Sequence, residues 1–203
     1  MKLIVVTDGK MAEAELIKTV QAIAPYVDFI ILREKQKSPR AYLTFVKRLL
    51  AAGVTKDRLC IHEHAVICAI TGVNRLHLPE NSLPVNKIKQ LFPSLTIGVS
   101  VHTLPKAVEA GQNGADYVMY GHVYATASKK GMEPRGIKQL EKIISSVYLP
   151  VIAIGGINVT KIEELAQVNA DGIAIMSAVF SQDNPLEAVK RLREGVRKSE
   201  KSS

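Results

Sequence analysis

Short apolar runs and helical stripes alternate along the whole chain. Leu3 to Thr7 reads as a strand, and Ala12 to Ala24 follows with Leu16, Val20 and Ile23 on one helical face, ending at Pro25. Val27 to Leu32 is the next apolar run. After it, Ser38-Pro39 opens a helix whose stripe of Tyr42, Phe45, Val46, Leu49 and Leu50 stops near Gly53. The same alternation predicts strands at Leu59 to Ile61, Leu76 to Leu78, Thr96 to Val101, from Tyr117, at Val151 to Ile154 and at Gly172 to Ser177. Helices are predicted over Ala65 to Ile70, Val85 to Phe92, Leu104 to Asn113, Ile137 to Val147, Val159 to Val168 and from Pro185 onward. Strand runs that are apolar at consecutive positions belong to a parallel sheet covered on both faces.

Eight such units in 203 residues predict a (β/α)8 TIM barrel at the short end of its size range, with an open doubly wound sheet as the alternative. An internal repeat favours the barrel: Gln112-Asn113-Gly114-Ala115-Asp116-Tyr117-Val118-Met119 parallels Gln167-Val168-Asn169-Ala170-Asp171-Gly172-Ile173-Ala174. In each copy a helix ends, Ala-Asp turns, and a strand begins. The hydrophobic content of 47% suits a single domain over 1–203, with a basic tail at about 197–203.

Composition narrows the class of function. The first apolar run meets Asp8 too soon for a signal peptide, and no run reaches the length of a membrane span, so a cytoplasmic protein without membrane partners is expected. Cys60 and Cys68 lie among apolar neighbours and read as buried free thiols. His62 and His64 would share one face of a strand, but no further ligand completes a metal site. The net charge of +8 concentrates at Lys190 to Lys201 without the aromatic-basic interleaving or motifs of a nucleic-acid reader. It reads as a solvated face that also draws anionic substrates, so nucleic acid is not an expected partner.

In a barrel of this kind, chemistry sits at the carboxyl ends of the strands. The polar residues there are Thr7, Asp8, Arg33 to Lys35, His62, Glu63, His77, Ser100, His102, His122, Gly155-Gly156 and Ser177. Gly155-Gly156-Ile157-Asn158 after the seventh strand and Ser177-Ala178 after the eighth can present bare amides to a phosphate. A lone Gly-Gly would be just a turn; glycine at this place lets the phosphate approach the backbone. His122 ends the sixth strand and opens a loop of small, hydroxylated and cationic residues, an arrangement suited to proton transfer on an anionic small molecule.

The ordered set Leu32-Arg33-Glu34-Lys35, Gly98-Val99-Ser100-Val101-His102, Gly121-His122-Val123-Tyr124, Lys129-Lys130-Gly131, Ile154-Gly155-Gly156-Ile157 and Met176-Ser177 resembles the thiamin phosphate synthase superfamily over nearly the whole chain. More narrowly it resembles the TenI branch, the thiazole tautomerases. Departures point to that branch. Synthases carry Gln before Leu-Arg-Glu-Lys, Asn-Asp after strand three and a magnesium-binding aspartate after strand four; Ile31, His62-Glu63, and Asn81 or Ser82 stand here. The synthase Gly-Pro loop is Gly121-His122.

The resemblance implies an isomerase that aromatises a dihydrothiazole phosphate carboxylate, with His122 as the acid/base group and without metal or other cofactor. It implies substrate contacts from Thr126, Ser128, Lys129, Gly155 and Met176, and phosphate contacts from the Gly156 and Ser177 amides. Arg33 and Lys35 either hold the carboxylate or are remnants of a pyrophosphate site; Ser100 and His102 are weaker candidates, each also readable as a hydrogen-bonded strand end. A homodimer is the expected assembly. Two alternatives remain open: a thiamin phosphate synthase, and a non-catalytic regulatory or partner-binding barrel.

Overall fold

A computed structural model describes residues 1–126, 129 and 131–200. Eight strands close into a parallel barrel in chain order: β1 (Lys2–Val6), β2 (Phe29–Leu32), β3 (Leu59–His62), β4 (Arg75–Leu78), β5 (Thr96–Val101), β6 (Tyr117–Gly121), β7 (Val151–Ile154) and β8 (Gly172–Ile175). β8 returns to β1 with Lys2 opposite Gly172 and Val5 opposite Ile175, so the sheet has no free edge. The expected (β/α)8 barrel is therefore the observed fold.

Around the sheet run α1 (Glu13–Ile23), α2 (Pro39–Ala51), α3 (Ala65–Thr71), α4 (Val85–Leu91), α5 (Leu104–Gln112), α6 (Ile137–Ile144), α7 (Ile162–Gln167), α8 (Ser177–Phe180) and α9 (Pro185–Ser199). Sequence chemistry sets several of their starts: Ser38 and Thr103 accept an amide of the first turn, at Ala41 and Lys106, and proline follows each. Several sequence expectations shift: the strand read from Val27 begins at Phe29, and the helix read to Val147 ends at Ile144. The stretch from Val159 begins as a 3-10 turn before α7, and the strand read to Ser177 ends at Ile175, leaving Ser177 to open the short α8. Among the described residues no helix is long and apolar enough to cross a membrane.

Side chains alternate along each strand between two apolar layers, because successive Cβ atoms leave opposite faces. Ile4, Val6, Phe29, Ile31, Cys60, Tyr117, Met119, Ile152 and Ala174 pack inside the barrel. Leu3, Val5, Ile30, Leu32, Val118, Ala153 and Ile173 point outward onto the helices. Since the outward layer also takes Leu76, Leu78, Val99 and Val101, the intervening His77 and Ser100 fall on the inner face. Polar groups thus enter the barrel interior on β4 and β5.

The repeat seen in the sequence pins the register. Asp171, just before β8, accepts the Val151 amide that opens β7 (2.8 Å), and Asp116, before β6, accepts the Ile97 amide of β5 (2.6 Å). Asp28, before β2, does the same for Leu3 of β1 (2.8 Å) and also takes the Arg193 guanidinium of α9 (2.6 Å). Each carboxylate satisfies a donor at the closed end of the barrel that the ladder leaves unpaired. Replacing Asp171 by alanine strands the Val151 amide in a partly buried place. Equilibrium urea unfolding of Asp171→Ala should show a loss of about 1–3 kcal/mol, whereas a loss below a few tenths would remove the carboxylate from this account.

Candidate active site

The open, carboxyl-terminal end of the barrel holds a cavity of about 300 Å³. Its floor is apolar, from Val6, Ile31, Met119, Ile154 and Ala174. Around the rim stand Arg33 and Lys35 after β2, His62 of β3, Glu80 after β4, His102 after β5, His122 after β6, and Gly155, Gly156 and Ser177 after β7 and β8. Thr126, Lys129, Met176 and Ser100 line it too. The structure therefore gathers the substrate-contact candidates at one cavity, save Ser128, which lies outside the described residues; of the other strand-end polar residues, Asp8, Glu34 and Glu63 do not line it. Thr7, though buried, is not among the lining residues, and His64 leaves the strand to precede α3, its ring 5.2 Å from that of Tyr42. The expectation that His62 and His64 share a strand face fails because β3 ends at His62.

Beneath the rim runs a buried polar chain. Tyr117 Oη lies 3.1 Å from His77 Nδ1, and His77 Nε2 lies 2.9 Å from Ser100 Oγ. Space for the phenol comes from Gly98, where a Cβ would fall 1.9 Å from the Tyr117 ring. Burial keeps His77 neutral, pushing its pKa down to about 4. Burial first, and then the neighbouring His77 ring and the Arg33 and Lys35 cations, push His62 down to about 3. Neither ring supplies positive charge at neutral pH.

The Gly155-Gly156 turn is built by close packing. Gly155 and Gly156 have φ of +101° and +68°. A Cβ at Gly155 would fall 2.4 Å from the His122 Cβ, and one at Gly156 2.4 Å from the Ala125 carbonyl oxygen. Glycine is thus required by the backbone conformation and by the β6 loop lying against it, a constraint beyond the phosphate approach read from sequence. Backbone bonds tie the two segments, with the Val123 amide donating to Ile154 and that of Tyr124 to Gly155. His122 is buried at 5% exposure, its Nε2 3.4 Å from the Met132 carbonyl oxygen. Beside the cradle, the first amides of α8 have no acceptor within their own helix.

Comparison with known proteins agrees with this arrangement. The sequence profile described as thiamine monophosphate synthase matches residues 3–179. The chain belongs to the thiamine monophosphate synthase family. A relative from Pyrococcus horikoshii, named thiamine-phosphate synthase, is 32% identical over 98% of this chain and 94% of its own length. One of the same name from Clostridium tetani is 30% identical, covering 94% of this chain and 93% of its own length. Among solved structures, a thiamine phosphate pyrophosphorylase from Pyrococcus furiosus superposes with a TM-score of 0.83 at 28% identity, covering 98% of this chain and 96% of its own. A 3-hexulose-6-phosphate synthase shares the fold at 19% identity and a TM-score of 0.75, over 97% of this chain and 100% of its own.

These relatives correct the functional expectation. The isomerase reading rested on residue departures at a few rim positions, whereas synthase family members at about 30% identity span nearly the full length. The thiazole tautomerase reading gives way to the alternative, and the proton-shuttling role given to His122 for that reaction goes with it.

The family resemblance carries magnesium held by acidic residues after strands three and four, and the residues here do not fit that ion. Glu63 pairs with the His62 ring (3.1 Å), Asn81 and Ser82 bear no charge, and Glu80 is engaged by His102. Among the described residues no three histidine, cysteine, aspartate or glutamate side chains converge as a metal site. Magnesium favours clustered oxygen ligands.

Sequence reasoning missed Glu80 and Tyr117 as site-building groups. Glu80 follows the fourth strand by two residues, a position that marks it as a rim residue, whereas Tyr117 was hidden in an apolar strand. The neutral histidines also make a pH prediction. An unfolded histidine titrates near 6.5 and the folded His77 near 4, so the unfolded chain binds the extra proton between these values and stability falls as pH falls. Denaturant unfolding at pH 7 and pH 5 should show His77→Gln losing less stability on acidification than wild type, by on the order of 2 kcal/mol. Equal losses in both proteins would contradict the buried neutral ring.

Proposed function

We propose that the chain is a transferase of thiamine biosynthesis that joins a pyrimidine, presented as its pyrophosphate, to a thiazole phosphate and releases pyrophosphate. The observation that carries this reading is the presence of two anion-binding sets on one rim. Arg33 and Lys35 follow β2; Gly155, Gly156 and Ser177 follow β7 and β8. Between them the floor of Val6, Ile31, Met119, Ile154 and Ala174 suits flat heterocycles. The full-length similarity to proteins named thiamine-phosphate synthase supports the same reaction.

The chemistry asks for positioning more than for a covalent partner. A thiazole nitrogen is itself a nucleophile, so the site has to hold it against the pyrimidine carbon while the carbon–oxygen bond to pyrophosphate breaks. Anchoring the thiazole at its phosphate leaves the ring over the apolar floor. Arg33 and Lys35 counter the charge that grows on the leaving group, a contribution larger in the transition state than in the ground state. Lys129, after β6, adds a further cation at the same cavity.

Incubating the purified protein with the pyrimidine pyrophosphate and thiazole phosphate, with and without magnesium, should yield thiamine phosphate and pyrophosphate in equal amounts by mass spectrometry. Arg33→Ala should lower kcat/KM by roughly 10–100-fold, the loss of a charged hydrogen-bond donor. Absence of product under both conditions would overturn the transferase reading.

A further inference from the structure

Four histidines line the cavity, and the structure separates them by environment. His62 and His77 are held neutral, with pKa values pushed down to about 3 and about 4. His122 is buried beside the phosphate cradle, its Cβ against Gly155. His102 differs from all three. It follows β5, and a third of its side chain remains accessible. Its Nδ1 lies 3.0 Å from Glu80 Oε2, and the same carboxylate oxygen accepts the His102 backbone amide at 2.7 Å. Glu80 thereby fixes the ring at two points and engages Nδ1, which leaves Nε2 as the nitrogen for a bound ligand.

Position and charge say what that nitrogen faces. Glu80 and His102 bridge the rims of β4 and β5, next to the β3 and β4 ends where the synthase pattern carries acidic magnesium ligands, of which this chain keeps only Glu63 after β3. A departing pyrophosphate is rich in negative charge, and the cations supplied by Arg33 and Lys35 stand on the other side of β3. Negative charge can be offset there by a metal, by fixed cations or by a proton.

On the transferase reading above, we propose that the Glu80–His102 pair is the proton donor to the leaving pyrophosphate, at the rim positions where a metal would otherwise offset that charge. The bond between the pyrimidine carbon and the pyrophosphate oxygen breaks with its electrons passing to that oxygen. His102 Nε2–H delivers its proton there, and the thiazole nitrogen forms the new bond to carbon. The imidazole is left neutral, with Glu80 still on Nδ1, and recovers its proton from water. Glu80 is a positioning residue: its carboxylate holds the ring by Nδ1 and by the His102 backbone amide, leaving Nε2 for the transfer.

The test uses the full chain and the His102→Gln and Glu80→Gln variants, measuring kcat, KM and, separately, calorimetric affinity for inorganic pyrophosphate. His102→Gln should lower kcat by about 10²-fold or more while KM for thiazole phosphate stays within about twofold. Glu80→Gln, which keeps an oxygen for both bonds but loses the charge, should lower kcat about tenfold with KM for thiazole phosphate likewise unchanged. A purely structural pair would lower the active fraction and stability together and leave pyrophosphate affinity per folded molecule intact; that result overturns the proposal. So does a His102→Gln rate within about twofold of wild type. If the wild type forms no product, the transferase reading fails by itself, and the titration then judges the pair: weakening of pyrophosphate binding by about fivefold or more in His102→Gln supports His102 as the pyrophosphate-facing group, and unchanged affinity overturns it.

Discussion

Closure of eight parallel strands, each covered on both faces, is the constraint on which the rest of this molecule depends. Apolar side chains fill both layers, so a polar group inside the sheet must bring its own partners. The Tyr117, His77 and Ser100 chain does so, and Gly98 gives the phenol room beneath the cavity. Other ligand-facing polarity is displaced to the strand ends, where the loops after β2 and after β4 to β8 line one cavity. The aspartates at the opposite end, Asp28, Asp116 and Asp171, close the strand amides there. One end of the barrel is thus occupied with pairing its own backbone, and the other is open for chemistry.

At that open end the two proposed anion-binding sets are built differently. Arg33 and Lys35 are side-chain cations carried just past β2. The Gly155-Gly156 cradle is backbone, held in positive φ and packed against His122, Tyr124 and Ala125 of the neighbouring loop. Tyr124 extends this contact to α7 by donating its hydroxyl to Glu164 (2.9 Å). Cations of this kind suit a charge that changes during reaction, whereas a rigid cradle suits a phosphate that only anchors its substrate. The division suits the proposed reaction, in which the pyrophosphate of one substrate leaves and the phosphate of the other stays.

Much of the fold was legible because its signals are local. Thr96 to Val101 and Val151 to Ile154 were read to the residue, since continuous apolar runs and flanking turns define them. The Ala-Asp repeat announced a closed array of like units. The strand read to Ser177 was too long because the apolar run ends in a residue that opens α8. Site residues were legible as a set, because position after a strand and polarity are both sequence properties. Partnership was not: Glu80 meets His102 across 22 positions, and Tyr117 meets His77 across 40. The branch of the family was misread because a few rim substitutions, Ile31, His62-Glu63 and His122, outweighed the similarity spread over the rest of the chain. Those substitutions alter how charge is offset at the rim, and that is a narrower matter than which family the barrel belongs to.

The central claim, that one rim holds two different anionic substrates side by side, is tested most directly by calorimetric titration of thiazole phosphate into protein already saturated with inorganic pyrophosphate. The account predicts that thiazole phosphate still binds, with about one site per chain and an affinity within a few-fold of that for the free protein. Mutual exclusion, with pyrophosphate abolishing the thiazole phosphate signal, would show a single anion site and contradict it.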